Sequence, residues 1–406
     1  MEKLNLIDVC HVVKPYEETP FVGIKCNKDN INVWFPVGFE LGKDDDELRR
    51  DVLTLLQVLS NFTDRTESEW KKESQEDFTG FPIYSYLYII KDFLTNGYYV
   101  EKEIKYNTAK KGKINWSRTI KTQRPYPSSN GFVYLDFVVK DNSINQNELI
   151  TLVHEACVYR CFKKLGWLYT AYEPQTPRLG FDKDLFEAVV MQSMSGTFND
   201  KKRELFGHLL KVISEESNEA VVSDFSFGTT RFEYVWEKMI DYVFGISNKE
   251  DYFPHSNWHL KNKDKQNSAL EPDTIMIKDG IAYILDAKYY KYGVVENGSL
   301  PATASIAKQI IYAEYIEDNK LTDDDGNILE TYNAFIMPFS KNGERFKTDK
   351  NYKYIGYADA DWKSFNHRYE HIEGILLDVN YLMNTCTRLN KNEIEELSQL
   401  ILDSFE

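Results

Sequence analysis

Apolar and polar residues alternate on both sides of Lys278-Asp279-Gly280, with Ile275 and Ile277 leading in and Ile281, Tyr283 and Leu285 leading out. A period of two sends successive side chains to opposite faces of a strand. Asp-Gly between two such runs signals a tight turn, because both central positions favour positive φ. A β-hairpin over 273–288 is therefore predicted. Helical periodicity takes over on either side. Phe232, Val235, Trp236, Met239, Ile240 and Val243 form one apolar stripe over 231–244, and a second helix is predicted over 303–319. Earlier in the chain the pattern predicts a β-rich start at 32–40, a helix from Asp44 with an acidic first turn, a strand over 132–140, and an amphipathic helix over 147–165 ended by Gly166. Strands near 333–339, 352–358 and 374–379 and a last helix over 391–402 complete the reading. This order predicts an α/β (mixed α+β) fold, with a mixed sheet flanked by helices. The polar, proline-containing segment 173–183 reads as a linker between an N-terminal α+β domain, 1–175, and a second domain, 185–406.

The length of 406 residues is enough for two domains. No apolar run approaches the roughly 18 residues of a membrane helix, and the first residues have no signal-peptide pattern. Five cysteines without framework spacing point to a reducing cytoplasm. Cys157 and Cys161, four apart on the helix over 147–165, read as core thiols and not as half of a zinc site. The net charge of −15 argues against DNA binding over the whole surface. Local positive charge is another matter. Lys105, Lys110, Lys111, Lys113, Arg118, Lys121 and Arg124 fall in one acid-free stretch together with Tyr106 and Trp116. That stretch reads as a nucleic-acid contact, as a patch docking an acidic partner, or as a solvated loop. Lys261, Lys263 and Lys265 form a smaller cluster shortly before Asp273.

The hairpin carries the candidate chemistry. It returns Asp273 to a place across from Asp286 and Lys288, which are two apart on one strand and so share a face. Mg²⁺ takes hard oxygen ligands, commonly one or two carboxylates plus substrate phosphate oxygens. The ion then activates water and stabilises charge on phosphorus. A lysine beside it serves either to orient and deprotonate that water or to neutralise the phosphate. Glu233 and Glu237 lie one turn apart on the preceding helix. Glu237, at the edge of the apolar stripe, is the one placed to reach the site, the other reading being a solvated charge. On the following helix Gln309 is placed to bond the DNA backbone or a metal-bound water, and Lys308 to contact phosphate, while Tyr312 reads as core. Other chemistries fail on residues. The chain has no G-x-x-x-x-G-K-[ST] phosphate loop. His154-Glu155 lacks the second histidine of a zinc helix, Val158 standing there. Asp323-Asp324-Asp325-Gly326 lacks the outer acids of a calcium loop, and His367 and His371 have no third ligand.

Pro272-Asp273 followed by Asp286-Ala287-Lys288 resembles the PD-(D/E)XK nuclease motif, and Gln309 resembles the helix glutamine of RecB-like nucleases with its tyrosine one residue early. With Gly112-Lys113-Ile114-Asn115-Trp116-Ser117-Arg118-Thr119-Ile120, Val235-Trp236-Glu237 and Lys308-Gln309, the chain resembles the LlaJI family of restriction endonucleases, relatives of the McrC nuclease subunit. The resemblance implies a PD-(D/E)XK restriction-endonuclease-like core and Mg²⁺-dependent cleavage of double-stranded DNA in anti-phage defence. It further implies a GTP-dependent, McrB-like AAA+ partner and a companion methyltransferase. Asp273, Asp286 and Glu237 would ligate metal and Lys288 would assist the water. Lys113, Trp116, Arg118, Lys121, Arg124 and Lys308 would contact DNA or partner. Two alternatives stay open: an autonomous type II endonuclease that reads its own target, and a non-catalytic assembly protein.

Overall fold

The computed structural model describes residues 5–17, 20–27, 30–70, 81–129, 131–145, 148–170, 172–216, 225–387 and 392–405. The chain forms two compact units, Met1–Phe81 with Asp224–Glu406, and Pro82–Ser223. The expected division at 175–185 is corrected by this arrangement. Residues 172–182 are irregular as expected, but they lie within the second unit. The physical reason is a long-range pairing that local pattern cannot display. Strands β1 (Cys10–Val12), β2 (Val22–Cys26) and β3 (Ile31–Phe35) form one sheet with a strand some 200 residues later, β9 (Phe225–Thr229), in the order β1-β3-β2-β9. Phe81 and Phe225, at the two ends of the interruption, stack with ring centroids 4.3 Å apart.

The interrupting unit holds α2 (Ile83–Asn96), β4 (Glu101–Ala109), β5 (Lys113–Ile114), α3 (Trp116–Thr122), β6 (Tyr126–Ser128), β7 (Gly131–Val133), β8 (Phe137–Asn145), α4 (Leu149–Leu165), α5 (Lys183–Ser195) and α6 (Asp200–Glu215). The single strand expected over 132–140 is two: β7 pairs with β6 in an exposed hairpin, and β8 pairs with β4 and β5. Cys157 and Cys161 are buried in α4 and form no disulfide. His154 is fully buried there, and its Nδ1 accepts a 2.9 Å hydrogen bond from the Tyr99 backbone N–H. Burial pulls the imidazole down to about 4. A depressed histidine contributes stability above its unfolded value of about 6.5 and loses it as pH falls through about 4, on the order of 3 kcal/mol in all. Melting temperature is therefore expected to fall between pH 7 and pH 4, and His154→Asn, whose Oδ1 can take the same N–H, should flatten that fall. Equal pH slopes for the two proteins in circular-dichroism melts would refute the assignment.

The first unit also holds α1 (Asp45–Trp70), α7 (Phe232–Phe244), a β10 (Asn257–His259)–β11 (Asp264–Gln266) ribbon, β12 (Thr274–Lys278), β13 (Ile281–Ala287), α8 (Thr303–Asp318), β14 (Glu330–Phe339), β15 (Tyr352–Ala358), β16 (Ile372–Asp378), α9 (Val379–Cys386) and α10 (Asn392–Asp403). Five of these strands form a mixed sheet in the order β12-β13-β14-β16-β15. Its centre, β13, β14 and β16, is parallel; β12 and β15 close the edges antiparallel. All of β16 and all of β14 after its first residue are buried, as central parallel strands are. Ala282, Ile284, Phe335, Met337 and Ile372 share one core cluster with Ile310, Ala313 and Ile316 of α8. Helices α7, α9 and α10 also pack on this sheet. The mixed α+β class expected from the pattern is what forms. The first residue of the last expected helix, Lys391, lies outside the described residues.

Candidate active site

The hairpin forms as its sequence predicts. Thr274 pairs with Leu285 and Lys278 with Ile281, and Asp279 and Gly280 both have positive φ, 53° and 76°. That register carries Asp273, one residue before β12, across from Asp286. Ala282 and Ile284 face α8, so strand alternation turns Asp286 to the same side. The site therefore lies at the carboxyl end of β13.

Three side chains meet there. The Lys288 Nζ donates to Asp286, 2.9 Å from Oδ2. The Asp273 Oδ2 accepts from the Ala287 backbone N–H at 3.0 Å. Asp273 and Asp286 stand close enough for each carboxylate to disfavour ionisation of the other. Burial, then the charges of Asp286 and Glu237, hold Asp273 well above the usual carboxylate range. Glu237, half-buried on α7, is pushed up to about 7: burial raises it, the Lys288 ammonium opposes, and Asp286 and Glu233 raise it further. Burial pulls Lys288 down, but the Asp286 carboxylate outweighs it and the net shift is upward, so this amine stays an ammonium. Carboxylates crowded until they hold protons are short of positive charge, and a hard divalent cation would supply it. Among the described residues no three His, Cys, Asp or Glu side chains stand ready as a metal shell. Asp273 and Asp286 alone offer two hard carboxylate donors, a set that suits an ion keeping water and substrate oxygens in its other positions.

Neighbouring elements fix the geometry. Trp236, fully buried beside Glu237, donates its Nε1–H to the Ile336 carbonyl at 3.3 Å, and the Lys288 backbone N–H donates to the same carbonyl at 2.9 Å. Glu233 pairs with Arg231 at 3.3 Å. One contributor had no signal in the sequence. The Lys249 Nζ, anchored on Asp241 at 2.8 Å, donates to the Asp273 carbonyl at 2.7 Å and so holds the backbone of that acid. Tyr312 packs in the core as expected, but it also feels the charges of both Asp286 and Asp273, and its hydroxyl donates to the Glu271 carbonyl at 3.3 Å. Gln309, one turn away on α8, is buried with neither amide atom hydrogen-bonded among the described residues. Lys308 is exposed on the same helix, and Lys261, Lys263 and Lys265 are exposed near the β10–β11 ribbon.

Lys113, Trp116, Arg118, Lys121 and Arg124 belong to the other unit. Asn115 caps α3 by accepting from the Arg118 backbone N–H. That cap turns Trp116, Arg118 and Lys121 outward, and all five side chains are exposed. The Arg118 guanidinium lies 3.7 Å from the Tyr106 ring centroid, and Trp116 packs edge-on to Phe137. The side chain of Lys105 lies outside the described residues.

Among curated proteins, the chain is 27% identical over 283 residues to a Bacillus subtilis (strain 168) protein described as Type II restriction enzyme BsuMI component YdjA. The match covers 62% of this chain and 57% of that protein, so the chain spans a little over half the length of this relative. Among solved structures it is similar to a half-complex of Thermococcus gammatolerans McrB AAA+ hexamers with bound McrC, at 13% identity and a TM-score of 0.35 over 96% of this chain and 86% of that one. The McrBC complex of the same organism matches at 13% identity and a TM-score of 0.21, over 54% and 64%. The family profile described as LlaJI restriction endonuclease matches residues 21–361, and the chain belongs to that family.

Proposed function

We propose that this chain is the nuclease component of a restriction system, hydrolysing phosphodiester bonds of double-stranded DNA at the carboxyl end of β13. The observation that carries the reading is the convergence of Asp273, Asp286 and Lys288 on one hairpin end, with Glu237 facing them. Asp273, Asp286 and Lys288 match the two acids and the lysine of the PD-(D/E)XK motif, which supports this reading. Mg²⁺ held by Asp273 and Asp286, with Glu237 nearby, would supply Lewis-acid stabilisation of the phosphate and a more acidic water. Lys288, kept as an ammonium by Asp286, donates to a non-bridging phosphate oxygen as charge builds there. Glu237, poised near neutral pH, accepts the proton of the attacking water. Gln309, whose buried amide has no hydrogen-bond partner among the described residues, orients that water or the strand. Lys249 holds Asp273 in register.

The chain acts with an McrB-like, GTP-hydrolysing AAA+ subunit, and a companion methyltransferase protects host DNA against the same activity, which serves anti-phage defence in the cytoplasm. Three facts support that organisation: the sequence resembles McrC, the B. subtilis relative is described as a component, and the chain has no phosphate loop of its own. Among the described residues no helix is long and apolar enough to cross a membrane. The exposed Lys113, Trp116, Arg118, Lys121 and Arg124 serve as the contact to partner or DNA. The test is cleavage of unmodified phage DNA by the purified chain in Mg²⁺ and in excess EDTA, with and without the neighbouring GTPase and GTP. Fragments in Mg²⁺ that vanish in EDTA are expected. Cutting that needs no GTPase would make the enzyme autonomous, and cutting that persists in EDTA would rule the metal mechanism out.

A further inference from the structure

A second feature opens on the same edge of the sheet as Asp286 and Lys288. In sheets with parallel strands, ligands bind outside the carboxyl ends. After β13 the chain turns at Lys291–Gly293 directly against the end of β14, where a Cβ on Gly293 would meet the Pro338 carbonyl oxygen at 2.3 Å. The segment 340–351 leaves that same end of β14. Between the two is a cavity of about 730 Å³ lined by Tyr292, Val294, Glu296, Glu344, Arg345 and Phe346. That volume accommodates a nucleotide.

Arg345 is the unusual member. Its guanidinium carbon lies 4.6 Å from the Tyr292 ring centroid and 5.0 Å from that of Phe346. The two rings, 6.0 Å apart, are themselves packed on the α8 core cluster, so the platform is fixed. The Arg345 Nε is buried with no hydrogen-bond partner among the described residues. An arginine stacked on aromatic faces keeps its N–H edge for a phosphate. Its surroundings are basic as well: residues 340–353 hold five Lys or Arg against two acids, in a chain of net charge −15. Such local charge is what phosphate contacts need.

We infer that this cavity holds a nucleotide of the DNA strand beside the bond to be cut, its phosphate on Arg345 and its base against Tyr292 and Phe346. Glu296 and Glu344 then accept from an exocyclic base amine, the role acids play toward cytosine. The inference rests on the nuclease reading, but binding tests it separately from cleavage. The full chain is titrated onto a fluorescein-labelled duplex in EDTA at several salt concentrations, as wild type, Arg345→Gln and Arg345→Lys. Arg345→Gln should bind about 10-fold more weakly with its salt slope reduced by about one, and Arg345→Lys should recover the slope. A 2-aminopurine scanned along the duplex should be quenched at a defined position by wild type and less so by Tyr292→Leu. Unchanged affinity and slope in Arg345→Gln, with or without a lowered melting temperature, would leave Arg345 a loop fastener and overturn the inference. Absence of duplex binding by wild type would do the same. If the Arg345 effect holds while Asp286→Ala still cuts like wild type, the pocket stands and the hairpin loses its catalytic role.

Discussion

Asp286→Asn is expected to lower single-turnover DNA cleavage by about 10³-fold or more at saturating Mg²⁺, a loss of ~4 kcal/mol of transition-state stabilisation. The substitution keeps the shape of the side chain and removes its charge. Three consequences follow at one place. The Lys288 ammonium loses the carboxylate 2.9 Å away that holds it in position. Asp273 loses the charged neighbour that helps hold its carboxyl above the usual carboxylate range. A metal held by Asp273 and Asp286 would lose one of those two carboxylates. The fold should tolerate the change, because a crowded negative charge is removed and the β13 ladder is untouched. Activity and stability should therefore separate: the melting temperature stays within a few degrees of wild type while cleavage disappears. An Asn variant that cuts within about 10-fold of wild type would show that the carboxylate is not a metal ligand.

The largest loss of stability is expected from Trp236→Ala, at ~3–5 kcal/mol. Trp236 is among the largest fully buried side chains of the chain. It fills the space between α7 and the sheet, with Tyr289 tilted against it at 5.9 Å between ring centroids. Truncation opens a cavity in a close-packed interior and removes a donor from the Ile336 carbonyl. Ile336 is the register partner of Ala287, which stands between Asp286 and Lys288 at the end of β13. The damage should reach the site, and cleavage by the folded fraction should fall too. For a unit of this size the melting temperature should drop by roughly 10 °C. Trp236→Phe, which keeps most of the volume, should cost about 1–2 kcal/mol. A loss of less than ~1.5 kcal/mol for the alanine variant in denaturant melts would refute this account of α7 packing.

What could be read from the sequence is what depends on neighbours along the chain. Asp279-Gly280 between alternating runs specifies a turn, the turn specifies a register, and the register places Asp273 across from Asp286 with no knowledge of the remaining fold. The stripe of Phe232, Val235, Trp236, Met239 and Ile240 likewise reveals which face of α7 is buried, and with it why Glu237 borders the site. What could not be read depends on pairings across long separations. Nothing around Phe225 says that it will lie beside Val22–Cys26, so the local pattern hides the interruption of one unit by another and marks a linker at 173–183 instead. Lys249 gave no signal for a similar reason, since its partners are a backbone carbonyl and an aspartate on another helix. Tyr292 and Arg345 are 53 positions apart, and only the end of β14 brings them together.

The pairing of β2 with β9 also imposes a timetable on the ribosome. Some 190 residues separate Phe35 from Phe225, and at ~5–20 residues per second they take roughly 10–40 s to make. Throughout that interval β1, β2 and β3 exist while the edge of β2 waits without its neighbour, an open template for another nascent chain. The unit encoded in between emerges and can fold first, before the second half of the interrupted unit has been made. Translation speed and chaperone capture over this window, more than the final stability of the fold, should then govern how much of the protein a cell obtains.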